Sequence, residues 1–125
     1  MMLEVSQEFY FEAAHTLVRD HETDSSRRLH GHTYHAEVTV RGEQDPRTGM
    51  VIDLAVLRQH IDLRRQMLDH RHLNEIDGLS TPTLENLAVF IARHAQKMEP
   101  RVAAVRIWRS ASGDSCFLPL PPERP

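Results

Sequence analysis

Two alternating strands, two helical stripes and two further strands follow one another along these 125 residues, and that order predicts an α+β domain. The expected arrangement is β-β-α-α-β-β, an antiparallel sheet with both helices packed on one face. A chain this short has room for one core, so residues 1–120 are read as a single domain and 121–125 as a frayed tail.

The first segment carries Leu3, Val5, Phe9, Phe11 and Ala13 on one parity, with Glu4, Ser6, Glu8 and Glu12 on the other. Period two means a half-buried strand, and His15 continues its apolar parity. Residues 16–29 are polar without periodicity and predict a loop. A second strand is expected from about His32 to Arg41, with Tyr34, Ala36, Val38 and Val40 on one face. The stretch 42–49 is rich in turn formers. Asp53 then caps a helix whose apolar positions are Leu54, Leu57, Ile61 and Leu68. A polar loop at 74–80 leads to a second helix, capped by Thr81 or Thr83, with Pro82 tolerated in its first turn. Leu84, Leu87, Ala88, Ile91, Ala95 and Met98 form its stripe, and Pro100 ends it. Strands are expected at about 102–110 and 116–118. Four strands leave open sheet edges, which invites pairing between subunits.

Composition removes several function classes. Net charge is −3, so there is no basic footprint for nucleic acid. No run approaches the roughly 18 apolar residues of a membrane span, and the alternating N-terminus does not look like a signal peptide. The single cysteine, Cys116, cannot form an internal disulfide. Together these predict a cytoplasmic protein.

The strongest chemical signal is histidine. His30-Gly31-His32 stands at the start of the second strand, and His15 at the end of the first. Spacing of two puts both imidazoles on one strand face. If the strands pair as a hairpin, His15 joins them at one end of the sheet. Three neutral imidazoles suit zinc and leave a fourth position open, as in catalytic sites. Nickel, copper or iron would suit such donors too, and the plain alternative is three satisfied polar residues at a strand end. His21, His35, His60 and His94 are expected to be solvated, and Trp108 to pack at an interface.

FEAAH (11–15), RLHGHTY (28–34), GMVIDL (49–54), LDHRHLNE (68–75) and TPTLENLA (81–88) occur in this order. Each resembles a motif of the 6-pyruvoyl-tetrahydropterin synthase superfamily, especially its bacterial 6-carboxytetrahydropterin synthases of queuosine biosynthesis. The resemblance covers about residues 3–110. It implies the tunnelling fold (T-fold), a homohexamer of two stacked trimers with active sites at subunit interfaces, and zinc on His15, His30 and His32. It implies a lyase that converts 7,8-dihydroneopterin triphosphate to 6-carboxytetrahydropterin, with Asp69 and His70 moving protons. An aspartate hydrogen-bonded to a histidine fixes the tautomer and raises its basicity. The alternative is two histidines, His70 and His72, placed at a helix C-terminus, and His72 is a possible substitute for His70.

Two positions depart from the family. Its catalytic cysteine lies four residues before the first histidine of HGH, and Ser26 stands there. A serine hydroxyl is no base near neutrality. Other branches carry a glutamate in place of that cysteine; Asp24 and Glu22 are nearby. The family's pterin-anchoring glutamate on the third strand aligns with Arg109. Arginine has only donors, and its fork suits carboxylate or phosphate. The resemblance therefore leaves three readings open: the family lyase, a diverged enzyme that holds an anionic substrate through Arg109, and a non-catalytic metabolite-binding protein. If the alignment slips by a residue or two, Asp114 or Glu12 supplies the missing carboxylate. Arg27 and Arg28 are either substrate-phosphate contacts or a surface charge pair.

Overall fold

The alternation of the first segment is realised as β1 (Met2–His15), whose odd positions turn inward. The structure, a computed structural model, describes residues 1–21 and 23–121. β2 (His30–Glu43) pairs antiparallel with β1 along its full length, with His15 opposite His30 and Ala13 opposite His32. The connection expected to be loop holds one helical turn, α1 (Thr23–Arg27), with Ser26 buried beneath it. The Leu17 N–H donates to the Ser26 carbonyl at 2.8 Å, which folds that turn back toward the end of β1.

α2 (Leu54–Leu68) starts as predicted, with Asp53 Oδ1 accepting from the Ala55 N–H at 2.8 Å. Leu57, Ile61 and Leu68 are buried, whereas Leu54 is exposed at the first turn. Past α2 the chain adopts a left-handed conformation at His70 (φ 59°) and runs alongside β1 as β3 (Arg71–His72), in parallel. This strand is absent from the predicted order; two residues are too few for any periodicity to show. Leu73–Glu75 form a 3-10 turn that leads into the predicted loop. α3 (Leu84–Met98) is capped by Thr83, whose side chain accepts from the Asn86 N–H at 3.1 Å. Pro82 therefore precedes the cap instead of lying in the first turn.

β4 (Val102–Arg109) pairs antiparallel with β2, and β5 (Asp114–Pro119) with β4. The sheet is five-stranded, in the order β3-β1-β2-β4-β5, mixed through its one parallel edge. The Leu120 N–H still donates to the Ala103 carbonyl at 2.9 Å, so ordered backbone extends beyond β5; 122–125 of the expected tail lie outside the described residues. The core fills the space between the inner sheet face and the helices, with Phe11 stacked on Tyr34 at 5.0 Å between ring centroids. Among the described residues no helix is long and apolar enough to cross a membrane.

Candidate functional site

The β1–β2 register brings His15, His30 and His32 together at one end of the sheet, on its inner face. His15 Nε2 lies 3.0 Å from His30 Nε2 and 3.1 Å from His32 Nε2. Their tautomers follow from the partners of the other ring atoms. His15 Nδ1 is 3.1 Å from the Pro82 carbonyl, and His30 Nδ1 is 2.7 Å from the Arg28 carbonyl. A carbonyl only accepts, so both Nδ1 atoms carry a proton, and in the neutral tautomer that this fixes, each Nε2 presents its lone pair to the others. His32 Nε2 faces Arg109 Nη1 at 3.3 Å, a group that only donates, so it too is unprotonated. Three lone pairs converging on one point repel unless a cation sits among them. Two ligands of a tetrahedral zinc stand about 3.3 Å apart, so the donors and their spacing fit a metal. His15, His30 and His32 form a group that can hold a metal ion.

Burial depresses His15 below the ordinary imidazole range. His32 falls to about 4, through burial first and then the charge of Arg109. Both rings are thus kept neutral, the form a metal needs. Tyr34 backs the cluster with its hydroxyl 3.2 Å from His15 Nδ1, and burial pushes it up to about 12. Asn74 locks the end of β1: its side chain accepts from the Thr16 N–H and donates to the Thr16 carbonyl, both at 2.9 Å. Neither Tyr34 nor Asn74 stands out in the sequence, where one looks like strand core and the other like loop polarity.

Arg109 shares its face with Val105 and Ile107 and points into the site. Its Nη2 donates to Asp114 Oδ2 at 2.6 Å, directly across the β4–β5 pair. Asp114 is held below the usual carboxylate range by the Ser112 hydroxyl and then by Arg109. A cavity of about 510 Å³ is lined by His15, Tyr34, Glu85, Arg109, Asp114 and Cys116. An adjoining one of about 360 Å³ adds Ser26, His30 and His32. Cys116, ninety residues from Ser26 in sequence, therefore reaches the same site, with its thiol pushed up by burial and by Glu85. Glu85 belongs to a quoted motif but only the fold reveals that it faces the cavity. Glu12 does not: it lies on the outer face, where its carboxylate accepts from the Thr33 hydroxyl.

Asp69 and His70 do form a pair, with His70 Nδ1 2.9 Å from Asp69 Oδ2. Asp69 Oδ1 accepts from the Glu12 N–H at 2.9 Å, and this bond, followed by His70, holds its carboxyl low. The His70 N–H returns to the Glu12 carbonyl. The pair opens onto a different cavity, of about 540 Å³, which shares His32 with the Arg109 side. His72 points its Nδ1 at Glu75, at 3.2 Å, and its Nε2 is buried without a partner among the described residues.

Other sequence expectations change. Of the four histidines expected to be solvated, only His21 is exposed. His35 stacks on Trp108 at 5.5 Å, His94 donates to the Phe90 carbonyl, and His60 is half-buried. Arg27 and Arg28 are exposed, and Arg28 serves the triad through its carbonyl. Asp24 is exposed on α1, and Glu22 lies outside the described residues.

The sheet and its packed helices form a T-fold, the fold of the pterin synthase on which the chain superposes. The chain belongs to the 6-pyruvoyl tetrahydropterin synthase family, whose model matches residues 4–117. It is 42% identical to a 6-carboxy-5,6,7,8-tetrahydropterin synthase from Synechocystis, over 70% of each chain. It is 38% identical to a dihydroneopterin monophosphate aldolase from Pyrococcus furiosus, over 72% of each. The 6-pyruvoyl tetrahydropterin synthase of Caenorhabditis elegans superposes with a TM-score of 0.83 at 26% identity, covering 97% of both chains.

Proposed function

We propose that this protein is a zinc-dependent lyase that cleaves the side chain of a 7,8-dihydroneopterin triphosphate-like substrate. His15, His30 and His32 would hold the metal, and Asp69 with His70 would carry the protons. The observation that carries the reading is the convergence of three imidazole Nε2 atoms, with contacts of 3.0 and 3.1 Å to that of His15. Zinc bound there would polarise a substrate hydroxyl or carbonyl. His70 donates its Nδ1–H to Asp69, so its Nε2 is left to take or return a proton. Relatives at similar identity carry the names of a synthase and an aldolase, and the fragment released in turnover identifies the bond cleaved. The separation of the His70 cavity from the Arg109 cavity supports an interface site in the proposed hexamer, where one subunit's Asp69–His70 pair would serve a neighbour's triad. A cytoplasmic location and a place in queuosine biosynthesis belong to the same proposal.

The test is turnover of dihydroneopterin triphosphate by zinc-loaded protein, beside calorimetric titration with neopterin. Turnover that vanishes in His70→Ala while neopterin still binds supports the lyase. Binding without turnover in the wild-type protein favours a non-catalytic metabolite-binding member. A second enzymatic reading is favoured by one observation: Arg109, at the position of the family's pterin-anchoring glutamate, lies in the cavity with donors only. Absence of both neopterin binding and turnover, in protein shown to hold zinc, would move the assignment to a different, anionic substrate.

A further inference from the structure

The side chain of Arg109 is 18% exposed, and its charge is only partly matched. Nη2 is satisfied by Asp114 at 2.6 Å. Nη1 has His32 Nε2 at 3.3 Å, a long contact to a neutral acceptor. Nε is buried with no partner among the described residues. Asp114 cannot cover the rest, because it approaches from the hairpin end, is itself half-exposed, and shares its Oδ2 with the Ser112 hydroxyl.

The contact with His32 has a consequence for ligand binding. His32 has one lone pair at Nε2, and in this structure Arg109 shares it. A metal held by the triad takes that lone pair, which leaves Nη1–H aimed at a second positive charge. Two cations facing one another in a partly buried site repel. A group that offers one oxygen to the metal and another to Nη1 removes the conflict and forms a charge-assisted hydrogen bond.

We infer that Arg109 and the imidazole triad together form an oxyanion subsite, for a carboxylate or a phosphate, in which anion and metal bind cooperatively. This rests on the reading that the triad holds a metal, and it goes further by giving the anion a place and a partner. Arg109 works here as a specificity determinant: it trades His32 for the ligand when the metal arrives. Coupling of this kind is reciprocal, so the anion tightens the metal by the factor by which the metal tightens the anion.

Cobalt(II) in place of zinc makes both halves measurable, since its visible bands respond to a change in coordination. Inorganic phosphate and acetate are titrated separately into the cobalt-loaded full chain, and cobalt affinity is measured by chelator competition with and without each anion. The expected result is a band shift and about a tenfold gain in cobalt affinity at saturating anion, the worth of one charge-assisted hydrogen bond. A response to phosphate alone assigns the subsite to a phosphoryl group; a response to acetate alone assigns it to a carboxylate. In Arg109→Gln the anion-free protein should bind cobalt more tightly than wild type and lose the anion dependence. In Asp114→Asn, which frees Nη2 without touching the triad, anion affinity should rise several-fold. An unchanged anion effect in both variants, or none in cobalt-loaded wild type, overturns the subsite. If the wild-type protein takes up no cobalt or zinc at all, the metal reading itself has failed and the subsite falls with it.

Discussion

Two hydrogen-bonded side-chain pairs flank the imidazole triad, and they are built in opposite senses. In Arg109–Asp114 the cation is tucked in, 18% exposed, and the carboxylate stands half in water. In Asp69–His70 the carboxylate is tucked in, 17% exposed, and the imidazole stands out at 76%. In each pair the sheet fixes one member, and the partner's character follows from where that member faces. Asp69 is anchored by the Glu12 N–H of β1, so it orients a histidine outward, toward whatever covers that edge. Arg109 is anchored by β4 and faced by His32, so its charge is spent inside the chain's own cavity. The difference teaches that the triad and Arg109 face a cavity walled by one chain, whereas the Asp69–His70 pair presents its imidazole to the outside, as the proposed interface site would require. The left-handed backbone of His70 fits this picture: histidine tolerates that region better than most residues, and the turn is what presents its ring.

Breaking the centre that both pairs share should have the largest effect. His15→Ala removes a triad member, the bond to the Pro82 carbonyl and the contact with Tyr34 in one step. Retained zinc after dialysis should fall by at least about a hundredfold in affinity, beyond the usual range for losing a supporting residue alone. Next in size is the outward pair. His70→Ala should lower turnover by about 10² to 10⁴ while zinc content is unchanged. If zinc content falls with it, the two regions are not independent and the comparison breaks. The inward pair should respond less: Arg109→Glu should weaken anion binding by about tenfold and improve neopterin affinity, read by calorimetry. Equal affinities in variant and parent would take Arg109 out of the ligand's reach.

A smaller effect sharpens the inner region. In metal-free protein His32 is held near 4 while an unfolded chain protonates it near 6.5. A folded value lowered in this way means the unfolded chain binds more protons between the two. Stability from this group is therefore complete above pH 6.5 and is lost as the pH falls toward 4. Arg109→Gln removes the second cause of the shift but leaves burial, the first. The melting temperature of the variant should thus drop less steeply than that of the wild-type protein between pH 6.5 and 4. Parallel slopes would mean that burial alone sets the value.

Much of this was legible from residue order. Period two in 3–15 and 32–41 predicts both strands and the face each histidine shares, and the antiparallel register that sets His15 opposite His30 brings the three together. The resemblance sets Arg109 at the position of a ligand-binding residue, and the structure lines the cavity with it. What stayed hidden is contact between segments distant in sequence. β3 is two residues long and exists through the pairing of Ala13 and Ala14 with Arg71 and His72. Asn74 looks like loop until Thr16 is seen in its grasp. Cys116 and Asp114 enter the site only because the β4–β5 turn closes at Gly113, whose φ of 76° suits glycine. His94 and His35 sit at polar positions by period, yet ring contacts with Phe90 and Trp108 half-bury them.

The least disruptive change asks how the triad's tautomer is fixed. Tyr34→Phe keeps the ring that stacks on Phe11 and deletes only the hydroxyl 3.2 Å from His15 Nδ1. The Pro82 carbonyl, at 3.1 Å, still accepts the Nδ1 proton, so His15 Nε2 should go on presenting its lone pair inward. Zinc affinity should therefore fall by no more than about tenfold, the low end for a supporting residue. Stability should fall by about 1 kcal/mol for the lost hydrogen bond. A loss as deep as that of His15→Ala would show that the hydroxyl, and not the Pro82 carbonyl, governs the ring. The inner region would then depend on a side chain of β2 instead of on backbone at the head of α3.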